Sequence, residues 1–62
     1  MILVKPGTYF LYCDKLYLAE NESNNRGQLV IEVATKRRCA LDKVQASIIE
    51  KISETEAMAH MI

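Results

Sequence analysis

"LVIEVATKRRCAL", Leu29 to Leu41, decides how this chain is read. Leu29, Ile31 and Val33 fall on one side of an extended backbone, and Val30 and Glu32 on the other. Apolar residues at period two, rich in Val and Ile, predict a strand over 29–33. "ATKRR" then turns the chain, and Cys39-Ala40-Leu41 predicts a short strand coming back. The turn holds three consecutive cations, Lys36, Arg37 and Arg38, in a chain whose formal net charge is zero.

Upstream, "NESNNRG" (21–27) is polar and asparagine-rich and predicts a loop closed by Gly27. Before it, Leu16-Tyr17-Leu18-Ala19 and Thr8-Tyr9-Phe10-Leu11-Tyr12 are rich in β-formers and predict a hairpin tied by Cys13-Asp14-Lys15. Tyr9 and Tyr17 are expected as cross-strand partners on it, and Tyr9, Tyr12 and Tyr17 as half-buried packing that could also stack bases. Lys5-Pro6-Gly7 predicts a turn, since proline fixes φ and glycine permits a positive one. Ile2-Leu3-Val4 predicts a first short strand.

Downstream, Asp42 is a good helix N-cap, and Gln45 completes a capping-box-like pair. Val44, Ile48 and Ile52 recur every four residues with Ile49 alongside, predicting one helix over about 43–58. The expectation is a single domain over 1–62, mainly β with a C-terminal α-helix: five short strands within 1–41, then one helix. At 62 residues, sheet and helix barely cover each other, so a homodimer is expected.

Composition narrows the function. Lys and Arg number 8, as do Asp and Glu, which argues against a non-specific polyanion binder. The charges are uneven, with Lys36, Arg37, Arg38 and Lys43 clustered and Glu50, Glu54 and Glu56 following. Cys13 and Cys39 lack CxxC spacing and are expected as free, buried thiols. The apolar run at 2–4 is too short for a signal peptide and no stretch could span a membrane, so a cytoplasmic setting is expected. His60, the single histidine, has no convergent partners at ligand or triad spacing. Neither an enzyme, a metal site nor a cofactor is expected.

Two long segments carry a family likeness. "ILVKPGTYFLYCDKLYL", Ile2 to Leu18, resembles the opening of the carbon storage regulator (Csr/Rsm) family of bacterial RNA-binding translational regulators. Ile2, Leu3, Gly7, Phe10, Tyr12, Asp14, Leu16 and Leu18 fall in register once one residue beside Pro6 is deleted. "VIEVATKRRCALDKVQASI" is similar to that family's second half, with Ile31, Val33, Cys39, Leu41 and Lys43 in the matching places. The likeness covers nearly the whole chain. It departs at Lys5-Pro6, where the family has Arg-Arg, at Thr35-Lys36 for Ala-Pro, at Lys43 for arginine and at Glu32 for glycine. Lysine keeps the charge but loses the bidentate fork of arginine.

The resemblance implies an intertwined, strand-swapped homodimer in which Leu3, Val4 and Lys5 of one chain lie beside Thr35 to Lys43 of the other. It implies recognition of GGA-containing hairpin loops in mRNA leaders or small regulatory RNAs, with translation blocked. The candidate RNA-binding residues are Leu3, Val4, Lys5, Thr35, Lys36, Arg37, Arg38, Leu41 and Lys43. Leu3 and Leu41 are also expected as core. The residues alone leave two readings of Lys36-Arg37-Arg38 open: a solvated turn, or a phosphate-holding edge beside splayed bases. Lys43, a cation set against the positive end of a helix, hints at a ligand.

A second function class stays open, a small protein-interaction regulator of the same fold with weak or lost RNA binding. Glu50, Glu54, Glu56 and the zero net charge motivate it. A protein antagonist is a partner the first reading allows. DNA is not expected, because no recognition helix is evident.

Overall fold

The computed structural model describes residues 2–62. Its first turn is the one proline and glycine predict. The Thr8 N–H donates to the Lys5 carbonyl at 3.1 Å. Pro6 takes the second position and Gly7, at φ +88°, the third, a type II pattern in which the positive φ favours glycine. Strand β1 (Tyr9–Tyr12) follows and joins β2 (Lys15–Asn24) through Cys13 and Asp14 alone. Both loop residues have positive φ, 52° and 61°, as a type I′ hairpin requires. That loop fixes the register, with Tyr12 opposite Lys15, Phe10 opposite Tyr17 and Tyr9 opposite Leu18. The expected Tyr9–Tyr17 pairing is therefore one position out, and the two rings lie on opposite faces of the sheet.

The polar stretch read as a loop is mostly strand. β2 continues to Asn24, and β3 (Gly27–Glu32) begins after a turn of Asn25 and Arg26. Asn24 Oδ1 closes that turn by accepting from the N–H groups of Arg26 (2.8 Å) and Gly27 (3.2 Å). A register shift between Ala19 and Ser23 bends β2. Strand β4 (Arg38–Leu41) returns along β3. Gly27 sits at φ +147°, where a Cβ would collide with the Leu41 carbonyl, so a glycine lets these strand ends close.

Beyond β4 the sequence departs most from expectation. The capping box at Asp42 and Gln45 forms, but helix α1 covers only Lys43–Ala46. β5 (Glu50–Ile52) then pairs with β1, and α2 (Glu54–His60) ends the fold. The continuous helix over about 43–58 is thus two helices with a strand between them. Three causes are visible. β1 has a second edge to fill, and the Ile48-Ile49…Ile52 segment suits a strand. Ser53 starts a new helix, its hydroxyl accepting from the Glu56 N–H at 3.1 Å. Ser47 ends the first, capping it at the C-terminus. The Val44–Ile48 stripe does not meet the sheet, for both side chains are largely exposed.

Ile2-Leu3-Val4 is not a strand either. The side chain of Gln28, wholly buried in β3, takes the place of a partner strand. Its Oε1 accepts from the N–H of Leu3 (2.9 Å) and of Val4 (2.7 Å). Its Nε2 donates to the carbonyls of Val4 (2.7 Å) and Glu20 (3.0 Å). One amide thus satisfies four backbone groups, two donors and two acceptors, and the N-terminal segment is docked without a ladder.

The fold class stands as expected: a five-stranded antiparallel sheet, ordered β4-β3-β2-β1-β5, with a short C-terminal helix. One face carries the core of Val4, Phe10, Ala19, Val30 and Leu41, with Leu3, Ala46 and Ile49 packed on it. Burying a side chain the size of Phe10 contributes about 2 kcal/mol. Helix α2 touches β1, with Ala57 buried and Met61 lining a hollow with Leu16, which points to the opposite face. No helix among the described residues is long and apolar enough to cross a membrane.

Candidate nucleic-acid interface

β4 ends the sheet, so its outer backbone edge has no strand partner among the described residues. The candidate cations lie at its two ends. At one end, the β3–β4 turn runs through Val33, Ala34, Thr35 and Lys36, closed by the Lys36 N–H donating to the Glu32 carbonyl at 2.8 Å. Lys36 has φ +63°, a conformation that side chains other than glycine and asparagine rarely take. Thr35, Lys36 and Arg37 are all exposed. At the other end, Lys43 and Arg26 line a shallow cleft of about 260 Å³ with Leu3, Asn24 and Asp42. Lys5 is exposed in the N-terminal turn. Four strand residues separate the two groups, about 13 Å.

Arg38 differs from its neighbours. Its Nε donates to the Glu20 carboxylate at 2.7 Å, and a terminal guanidinium nitrogen lies 3.3 Å from Glu22. The hydrogen bond to Glu20, then its charge, holds the guanidinium still more firmly protonated. Val4 and Leu41 are buried core residues, and Leu3 is half-buried. The structure therefore gathers Lys36, Arg37 and Thr35 at one end of β4 and Lys43 at the other. It ties Arg38 back to β2.

A second feature gives a setting to two of the tyrosines expected as packing that could also stack bases, Tyr12 and Tyr17. The docked N-terminal segment and α1 cover the core face near Leu41 and Gln28, and the other end stays open. There a pocket of about 130 Å³ is lined by Phe10, Tyr12, Tyr17, Cys39 and Gln45, among others. The Phe10 and Tyr17 rings stack at 5.5 Å with 12° between planes, and Tyr12 meets Tyr17 edge-on at 6.4 Å and 65°. Burial raises the Tyr17 phenol above its usual range, helped by the negative charges of Cys39 and Glu32. Partial covering of the thiol on the pocket side also raises Cys39, with Glu32 adding to the effect. Alternation placed Phe10, Tyr12 and the wrong partner of Tyr17 in view, but only the two-residue hairpin loop fixes which rings meet.

Cys13 and Cys39 are free and exposed, not buried as expected: one sits in a tight turn, the other on the edge strand. His60 is exposed beside an open hollow between the two hairpin turns and the end of α2. Among the described residues no group of three or more His, Cys, Asp or Glu side chains could hold a metal ion. No family model, curated protein or solved structure matches this chain.

Proposed function

We propose that this protein is a cytoplasmic, RNA-binding post-transcriptional regulator. It lays a GGA-containing hairpin loop of an mRNA leader or small RNA along the open edge of β4 and so blocks translation. One observation carries the reading: a strand edge, Arg38 to Leu41, with no strand partner among the described residues, and with Lys36 and Arg37 at one end and Lys43 with Arg26 at the other. Backbone groups of such an edge can bond the edges of splayed bases while the flanking cations hold phosphates. Two copies would join through apolar side chains that one chain leaves exposed, Val44 and Ile48 foremost.

The test is fluorescence anisotropy of a labelled GGA-loop hairpin at two salt concentrations, beside a loop-scrambled control. The expected result is loop-dependent binding that Arg37→Ala and Lys43→Ala each weaken about tenfold, with a shallower salt slope. Binding that ignores the loop and vanishes with salt would overturn the reading.

A protein partner is the second reading, favoured by one observation: Glu20 and Glu22 already occupy Arg38, and the net charge is zero. It predicts a single stoichiometric protein partner whose capture survives ribonuclease.

A further inference from the structure

We propose that the open pocket beside β4 holds one unstacked base of the bound strand, with Tyr12 and Tyr17 as its aromatic walls. This rests on the RNA reading above and adds a subsite to it. Tyr17 is braced by the parallel ring of Phe10, which is fully buried, so its orientation is set before any ligand arrives. Tyr12 stands at 65° to it and makes a second wall. A planar group can stack on one ring and meet the other edge-on. At about 130 Å³ the pocket is far below the roughly 300–1,000 Å³ of a site for a drug-sized molecule, and it suits one small flat group.

Its surroundings fit a base on a chain of phosphates. Cys39, Ala40 and Leu41 of β4 form one side, so the pocket opens beside the edge proposed to guide the strand. Lys15 lies opposite Tyr12 in the β1–β2 register. Arg37 faces Glu32 across the β3–β4 ladder, its carbonyl accepting the Glu32 N–H at 2.8 Å, and Glu32 in turn pairs with Tyr17. Cations thus flank the aromatic pair on both sides. The Gln45 amide supplies polarity, since its Oε1 accepts from the Asp42 N–H at 3.0 Å while its N–H₂ group remains available to donate. Base–aromatic stacking is tolerant of sequence, because every base has a π-face. Glu32 is the one acidic neighbour of Tyr17 in this row, and it is what a cationic peptide side chain would seek instead.

The experiment places 2-aminopurine at each loop position of the hairpin in turn and follows its fluorescence as protein is added. The expected result is quenching at one position. Tyr12→Leu, and separately Cys39→Leu, which fills the pocket mouth and leaves both rings in place, should abolish that quenching and lower affinity about tenfold. Their melting curves confirm that each variant folds. Tight binding by the wild type with no quenched position, or with quenching unchanged in folded Cys39→Leu, overturns the pocket and leaves the edge reading intact. No binding by the wild type overturns both. Quenching that a trimethyl-lysine peptide displaces at micromolar concentration assigns the pocket to a cation and also overturns the proposal.

Discussion

At Glu20 two polar contacts meet. Its backbone carbonyl accepts from Nε2 of Gln28 at 3.0 Å, and its carboxylate accepts from Nε of Arg38 at 2.7 Å. By distance the second is the better bond, and it joins full charges. Yet the Gln28 side chain lies wholly inside, while the Arg38 side chain is 47% exposed. An exposed ion pair exchanges one well-solvated state for another and gains little. A buried amide has no water to return to, so each group it leaves unpaired bears a desolvation cost. Surroundings, not bond length, decide which contact holds the N-terminal segment and the core together.

The largest effect is therefore expected at Gln28. Gln28→Leu keeps the volume nearly constant but strands the Leu3 and Val4 N–H groups and removes the donor to the Val4 and Glu20 carbonyls. Stability should fall by about 3 kcal/mol, read from urea unfolding, because each buried group left unsatisfied costs about 1–3 kcal/mol. For a domain of this size that is a large share of the total. Hydrogen exchange at Leu3 and Val4 should rise to the rate of an open chain. A loss too small to measure would mean that Val4 is held by packing alone.

Arg38 sharpens the same comparison from the weak side. Arg38→Ala should barely move the melting temperature, and what it moves should disappear at about 1 M salt, where the screening length falls to about 3 Å. The single variants Glu20→Gln and Arg38→Ala, with their double, should show almost no coupling in stability. On the RNA reading, Arg37→Ala weakens hairpin binding while Arg38→Ala does not, because Glu20 and Glu22 already take up the Arg38 charge. Equal losses from the two arginines would show that the acidic pair releases Arg38 to the ligand.

The contrast also explains what the sequence makes legible. Local signals hold where local geometry decides. Pro6-Gly7 makes its turn, Asp42 and Gln45 make their box, and the alternation in Leu29–Val33 identifies β3. The failures are places where a distant group wins. Ile2–Val4 has the composition of a strand, but a glutamine 24 residues away from Val4 satisfies its backbone. The apolar stripe after Asp42 has helical spacing, but the empty edge of β1 draws Glu50–Ile52 into the sheet. One local signal was present and unused: Ser53 with Glu56 three residues on has the form of a second N-cap. For the candidate site, the cations were legible as a cluster. That Arg38 belongs to β2 was not, because Glu20 and Glu22 lie 18 and 16 residues earlier. The tyrosines were legible as packing that could stack bases, but the pocket that Tyr12 and Tyr17 line was not, since a register and a partial cover create it.

The smallest expected effect tests the open end of the core face by pH. Gln28 at the covered end does not titrate, whereas Cys39 and Tyr17 at the open end do. Partial desolvation raises both above their ordinary values of 9.0 and 10.0. The folded state therefore holds these protons more tightly than the unfolded state. The resulting stabilisation is complete below pH 9.0 and is lost as pH rises, first through the range of Cys39 and then, above 10.0, through that of Tyr17. Urea midpoints should accordingly drift down from about pH 9 to about pH 11. Cys39→Ser should remove the lower part of the drift and Tyr17→Phe the upper part, each leaving the neutral-pH midpoint nearly unchanged. Because Tyr17 is only partly covered, the drift should be shallow. A slope that neither variant alters would mean that water reaches these groups freely in the folded protein, and the open end would then be a surface rather than a pocket.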